Sequence, residues 1–296
     1  MTLEEALQEF ILDKELAGLA PASIQSYKNF IHVFLLYIDK DLSLQSVSYE
    51  VVKRSLVKIC SGSIGQATKS TYVRNIRIFL CWIDNEYGLP FNPRKIKIPR
   101  RPKRAVMLLN SSEVGNLFSC VKSSIPWITA RNNAMIALMY DSGIRQKEVC
   151  GLLKKNIDRE KMIIKVTGKG AKDRYVPLGK VSLSMIGDYL QLCPYKDSEY
   201  LFLGRYGKPV TTGSVKTFMN RLKHQTGFDL SSHKLRHNFA TNFCIDSLCE
   251  TGCSNMSDLS ALLGHESVET TKQYEHFAQS MLAAQIRRSH LDKIMM

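Results

Sequence analysis

Met162-Ile163-Ile164-Lys165-Val166 and Arg174-Tyr175-Val176-Pro177-Leu178, which flank Gly168-Lys169-Gly170-Ala171, form the stretch that decides the fold. Both arms are rich in β-branched and aromatic side chains, and the glycine-bearing connection between them predicts an antiparallel hairpin. No other part of the chain carries a convincing strand pattern, so the hairpin belongs to a mainly α protein with one small antiparallel β element. The glycines on either side of Lys169 permit positive φ and let the loop carry that lysine into a groove.

Working toward the N-terminus, the pattern is helical. Leu3, Leu7, Phe10 and Ile11 recur at three- and four-residue steps, and Pro21 opens a second helix whose stripe is Tyr27, Phe30, Ile31, Phe34, Leu35 and Ile38. A third helix is expected over Tyr49 to Cys60 and a fourth over Gln66 to Tyr87, stopped by Gly88-Leu89-Pro90. This makes a four-helix N-terminal domain over residues 1–88. Its fourth helix sets Lys69, Arg74 and Arg77 beside the apolar Tyr72, Val73, Ile76, Phe79, Leu80 and Ile83, so one face can pack while another meets phosphates or simply water. Residues 89–106 read as an extended basic linker, because Pro90, Pro93, Pro99 and Pro102 oppose helix throughout. Between Arg94 and Arg104 lie seven cationic residues and no acidic one, with Arg100, Arg101, Lys103 and Arg104 the candidate phosphate contacts.

The second domain is expected over residues 107–296. Ser111 or Ser112 can cap its first helix, and an apolar helix from Arg131 to Tyr140 ends at Ser142-Gly143. Beyond the hairpin the pattern is again mostly helical from Val181 onward.

At 296 residues and 44% hydrophobic composition the chain can fill two cores, and a formal charge of +14 attracts polyanions, nucleic acid above all. The eight cysteines are scattered without a CxxC pair, which points to reduced thiols in a cytoplasmic protein. The acidic, amphipathic start Met-Thr-Leu-Glu-Glu-Ala lacks the plan of a secretory signal, and no apolar run approaches the roughly 20 residues of a membrane span.

Attack on a phosphodiester builds negative charge on non-bridging oxygens, and guanidinium groups can bind two such oxygens at once. Arg145 lies just past a helix end with Glu148 three residues on to orient it, and Arg236 shares a helical face with His233. Taken singly, each arginine reads equally well as an ordinary salt-bridge partner. A departing 5′ oxygen needs a proton, a role that suits Lys169, while Lys172 and Arg174 are better read as phosphate contacts. His265 and Tyr274 stand nine positions apart near the end of the chain. A phenol with an ordinary pKa near 10 needs a base or a cationic setting to attack, which His233, His265 and the arginines could supply.

The ordered set Gly143-Ile144-Arg145 with Glu148, Gly168-Lys169-Gly170 with Lys172, His233-Lys234-Leu235-Arg236-His237, and Leu263-Gly264-His265 followed by Thr270-Thr271 and Tyr274 resembles the tyrosine site-specific recombinases, the phage integrase family, in their two-domain, Xer-like form. The likeness is densest from Asp141 to Phe277. It implies a SAM-like, helical core-binding domain followed by a mixed α/β catalytic domain with a C-terminal tail helix. It further implies that Arg145 and Arg236, helped by His265, stabilise the phosphorane, that His233 is the general base and Lys169 the general acid, and that Tyr274 forms a 3′-phosphotyrosyl bond. No metal, ATP or other cofactor is implied. Four protomers would exchange strands on two DNA sites through a Holliday junction, with residues 278–296 docking as a helix on a neighbour. Accessory DNA-bending or directionality proteins are further candidate partners.

The segment from His237 to His265 is longer than the family pattern and carries Cys244, Cys249 and Cys253. Zinc binding is the weaker reading of these cysteines and buried structural thiols the better one, since the usual ligand pairs are largely missing. That departure favours a mobile element, with integration and excision as the task, over chromosome or plasmid dimer resolution. Two other readings stay open at this point: a type IB-like relaxase acting alone, and a DNA-binding protein that has lost the chemistry.

Overall fold

The computed structural model describes residues 1–100, 108–168, 172–265, 267 and 269–285. The chain divides into two compact units, Met1–Arg104 and Ala105–Met296.

The first unit contains helices α1 (Leu3–Leu16), α2 (Pro21–Leu35), α3 (Tyr49–Ser61) and α4 (Gln66–Tyr87). Local chemistry sets their ends. Thr2 and Glu5 form a capping box on α1, Pro21 opens α2, the Ser48 hydroxyl accepts from the Val51 N–H on α3, and Gly88 stops α4 at a φ of 73°. The expected stripes meet inside: Phe10 packs edge-on against Tyr27, Phe79 and Trp82, each at 5.4 Å. The supposed linker behaves differently from the expectation. Pro93–Lys95 form a 3₁₀ turn, Pro93 and Ile96 are buried, and Leu89, Phe91 and Ile98 pack on the same core. Apolar side chains alternating with the lysines tie this stretch down as far as Ile98, and Arg77 donates to the Ile96 carbonyl at 3.3 Å instead of standing free.

In the second unit, α5 (Ser111–Ser119) is capped by Asn110, not by Ser111 or Ser112; the Asn110 side chain accepts from Glu113 N–H, and Glu113 returns the bond. Helix α6 (Pro126–Ser142) begins a turn earlier than expected, and its middle is apolar on every side, with Ala134 through Met139 buried. A helix of that kind belongs at the centre of a core, and α6 packs against α8 (Lys180–Leu192) and α10 (Ser232–Thr251). It ends at Gly143, where φ is 61° and an added Cβ would lie 2.3 Å from Phe239 Cδ1, so both the turn and the close approach require glycine. The short α7 (Gln146–Cys150) follows at once.

The hairpin is present, one residue displaced from the expected ends and extended by an unanticipated edge strand. Strands β1 (Ile157–Asp158), β2 (Ile163–Thr167) and β3 (Asp173–Pro177) pair antiparallel in the order β1-β2-β3, with Ile164 opposite Val176 and Val166 opposite Arg174. Ile164, Val166 and Val176 face the core while Lys165 and Tyr175 do not, the alternation that fixes register. The remaining helices are α9 (Thr212–Thr226), α11 (Met256–Leu263) and α12 (Glu269–Gln285), and α12 packs against α10 and α11. Among the described residues no helix is long and apolar enough to cross a membrane. Of the three cysteines singled out above, Cys244 is buried but Cys249 and Cys253 are exposed, so the buried-thiol reading holds for Cys244 alone. They sit at the end of α10 and just past it, where the helix has left the core.

Candidate active site

The C-terminal end of α11 organises the site. Its last carbonyls have no partner within the helix and carry the negative end of the helix dipole. Three arginines from three different elements take them in succession: Arg174 Nε donates to the Leu262 carbonyl at 2.7 Å, Arg236 to that of Leu263 at 2.6 Å, and Arg145 to that of Gly264 at 2.8 Å. Gly264 adopts a φ of 61°, which turns the chain away and delivers His265.

Glu148 binds two of these arginines from the other side. Arg174 reaches both of its carboxylate oxygens at 2.8 Å, Arg145 reaches one at 3.0 Å, and the Arg145 backbone N–H donates to the other at 2.6 Å. Burial pushes the Glu148 carboxyl up, but the hydrogen bonds from Arg174 and Arg145 outweigh it and hold the pKa below its ordinary value. Glu148 therefore orients Arg145, as its spacing predicted. The same bonds correct the reading of Arg174 as a phosphate contact: its side chain is only 11% exposed and its guanidinium is turned inward onto Glu148 and Leu262. The buried carboxylate of Glu148 on α7 is the stronger partner.

Arg236 is buried, with a second bond to the Gly143 carbonyl at 2.8 Å; burial and the neighbouring Arg145 pull its pKa down to about 10, which leaves it cationic at neutral pH. Arg145 and Arg236, with Lys147, Lys216, His233 and His265, line an open cleft of about 590 Å³. Lys147 and Lys216 escaped the sequence reading; Lys147 had a signal, since it sits two residues past Arg145 in the same box. The near wall is held by a link from Ser232 Oγ to Gln146 at 2.8 Å, with Gln146 bonded in turn to the Thr212 carbonyl.

Tyr274 lies on α12, one face of which is buried by Phe239, Ala240, Cys244, Leu259 and Leu263. Its ring stands 5.2 Å from that of His237 and 6.4 Å from that of His265, and His237 in turn lies 4.2 Å from His233. The structure thus gathers Arg145, His233, Arg236, His265 and Tyr274 in one place. Lys169 lies outside the described residues, as do Arg101, Lys103, Arg104 and the end of the tail helix beyond Gln285. Lys69 is partly buried, and Arg74, Arg100 and Lys172 are exposed on their own units.

Tyr274 is 1% exposed. Burial raises its pKa, and the nearby Arg236 and Arg145 only partly oppose the rise. Desolvation, then Arg236 and Arg145, lower the pKa of His265 to about 4; burial and then His233 do the same to His237. Loss of surrounding water also lowers His233, with Arg236 and Arg145 adding to it. At neutral pH these imidazoles are uncharged, so His233 is able to accept a proton while the arginines carry the positive charge.

Residues 108–281 match the family model described as the phage integrase family. The chain belongs to that family, and it is a tyrosine recombinase of the Xer and integrase type. It is 28% identical to tyrosine recombinase XerC of Oceanobacillus iheyensis, over 92% of this chain and 90% of the relative, and 25% identical to tyrosine recombinase XerD of Listeria innocua, over 97% and 98%. Among solved structures, the fold is shared with the Tn1549 transposon integrase in complex with a circular intermediate DNA (TM-score 0.76, 15% identity, 96% of this chain and 99% of that one). It is shared also with XerH recombinase bound to palindromic difH substrate (TM-score 0.74, 22% identity, 96% and 84%).

Proposed function

We propose that this chain cleaves and rejoins DNA by transesterification at Tyr274, without metal or ATP. The Tyr274 oxygen attacks phosphorus, its proton passes to His233, and an Oη–P bond forms as the bond to the 5′ oxygen breaks. Lys169 protonates that oxygen, leaving a 3′-phosphotyrosyl link and a free 5′-hydroxyl. Arg145, Arg236 and His265 stabilise the five-coordinate phosphorus. The observation that carries this reading is the pinning of Arg145 and Arg236 at one cleft, with His233 and His265, beside the ring of Tyr274. Because Tyr274 is buried, its ring must be uncovered before the oxygen reaches a phosphate. Because the phosphotyrosyl link conserves the ester bond, resealing to a new 5′ end needs no energy source.

The proposed arrangement is the family's: double-stranded DNA gripped by a core-binding domain (residues 1–88, with Lys69 and Arg74), a basic stretch (89–106) that packs on that domain's core as far as Ile98, and a catalytic domain (107–296), in a cytoplasmic protein. Four protomers exchange strands through a Holliday junction. Relatives named XerC and XerD over nearly the whole chain favour resolution of chromosome or plasmid dimers as the task. Integration of a mobile element is the second reading, favoured by the long segment between His237 and His265.

The test is covalent capture. The purified chain is incubated with fragmented genomic DNA of its host, and protein-linked DNA is recovered under denaturing conditions and sequenced. Wild type yields adducts at one site class, while Tyr274→Phe binds the same DNA and yields none. Equal adduct from both would overturn the assignment. A site at an isolated housekeeping locus supports dimer resolution, and a site at an element's ends supports integration.

A further inference from the structure

Thr271 is fully buried on α12, three residues before Tyr274 and so on the same side of the helix, and its Oγ1 lies 2.9 Å from His265 Nδ1. We propose that Thr271 is a positioning residue that donates its hydroxyl proton to His265 Nδ1 and thereby keeps the ring's own proton on Nε2, the nitrogen left for a DNA phosphate. The inference rests on the recombinase reading above.

Two observations converge on it. A neutral imidazole donates through whichever nitrogen holds its hydrogen, and the bond made by the other nitrogen decides which that is. Burial and the arginines around His265 keep the ring neutral at pH 7, so the choice between tautomers is a real one there. A buried hydroxyl also needs a partner, and Nδ1 of a neutral ring accepts what Oγ1 donates. His265 itself lines the cleft, so a ring tied at Nδ1 offers Nε2 to whatever the cleft holds. Without the hydroxyl, the ring could place its hydrogen on Nδ1 and turn a lone pair toward an anionic oxygen, which repels it.

The consequence is specific to the hydroxyl. Thr271→Val keeps the branched shape and removes the bond; Thr271→Ser keeps the bond. The first measurement is ¹⁵N NMR of the imidazoles in the full-length chain without DNA at pH 7, with His265→Gln used to assign the signal. Wild type and Thr271→Ser should show the Nε2–H form, and Thr271→Val a mixture of tautomers. The second is the rate of adduct formation on a DNA site recovered by covalent capture. Thr271→Val should lose about tenfold, the scale of one orienting hydrogen bond, at unchanged DNA affinity, and Thr271→Ser should recover to within about twofold.

An unchanged tautomer in Thr271→Val overturns the proposal, as does a Thr271→Ser variant as slow as the valine one. Neither result touches the wider assignment, which stands or falls on Tyr274→Phe. If wild type forms no adduct the recombinase reading fails, and the tautomer measurement still decides what Thr271 does to His265.

Discussion

Replacing Glu148 by Gln keeps the side chain's shape and removes the charge on which two guanidinium groups converge. The bonds at stake are the bidentate pair with Arg174 at 2.8 Å and the contact with Arg145 at 3.0 Å. They differ in worth. The Arg174 and Glu148 side chains are 11% and 5% exposed, so losing one partner strands a desolvated cation, a change that costs about 3–5 kcal/mol. Arg145 is 39% exposed, and solvent screening leaves its share small. The lower end, about 3 kcal/mol, is the working figure, and in a unit of this size it lowers Tm by roughly 6–12 °C. The charge also has a pH signature. Its carboxyl is held below the ordinary range in the folded chain, so its contribution is present above the unfolded-state pKa of about 4.3 and is lost as pH falls through the folded value. Thermal unfolding followed by circular dichroism should show the full gap between wild type and Glu148→Gln at pH 7, narrowing below about pH 4.3. A variant within about 1 °C of wild type at pH 7, or a gap that ignores pH, would refute the reasoning.

Three further outcomes are expected. Gly143→Ala places a Cβ 2.3 Å from Phe239 Cδ1 at a φ of 61°, and should destabilise by about 2–4 kcal/mol, read as a shift of the urea midpoint. His237 and His265 titrate near 4 when folded, below the ordinary histidine value, so they favour the folded state at neutral pH and that support fades as pH drops from about 6.5 toward 4; His237→Gln should flatten the Tm profile across that window. Cys249 and Cys253 should react with a maleimide in seconds under native conditions, while buried Cys193 and Cys244 wait for denaturant, as peptide mass spectrometry after timed quenching would show.

The sequence announced elements whose cause is local. The α4 boundaries follow from helical periodicity and a glycine stop, and the hairpin from alternation across a glycine-bearing turn. The pairing of Arg145 with Glu148 was legible because three residues on a helix end bring them together. What escaped reading depends on partners distant in the chain. Arg174 looked like a surface cation because Glu148 and Leu262, which claim it, are 26 and 88 positions away. Ile96 and Ile98 hid in a run dominated by charge, although their alternation with Lys97 was a packing signal. Thr270 and Thr271 stand four and three residues before Tyr274, so helical spacing puts both on its side, and only tertiary packing buries the second against His265 and leaves the first exposed. The burial of Tyr274 had no sequence signal at all, because α10 and α11 supply the cover.

The capping of α11 by Arg174, Arg236 and Arg145 has a consequence for how such proteins decay. These guanidiniums close the end of a helix as well as face a cleft, so a lineage that gave up strand cleavage could not discard them without loosening its own scaffold. Tyr274 anchors no such frame, and its replacement by Phe keeps the ring and the packing. Relaxed selection would then erase the hydroxyl first and the arginines last. Under the proposed chemistry, an intact arginine set in degenerate copies of this sequence records only that the domain still folds, and the fate of the one Tyr274 hydroxyl oxygen separates a working copy from its fossil.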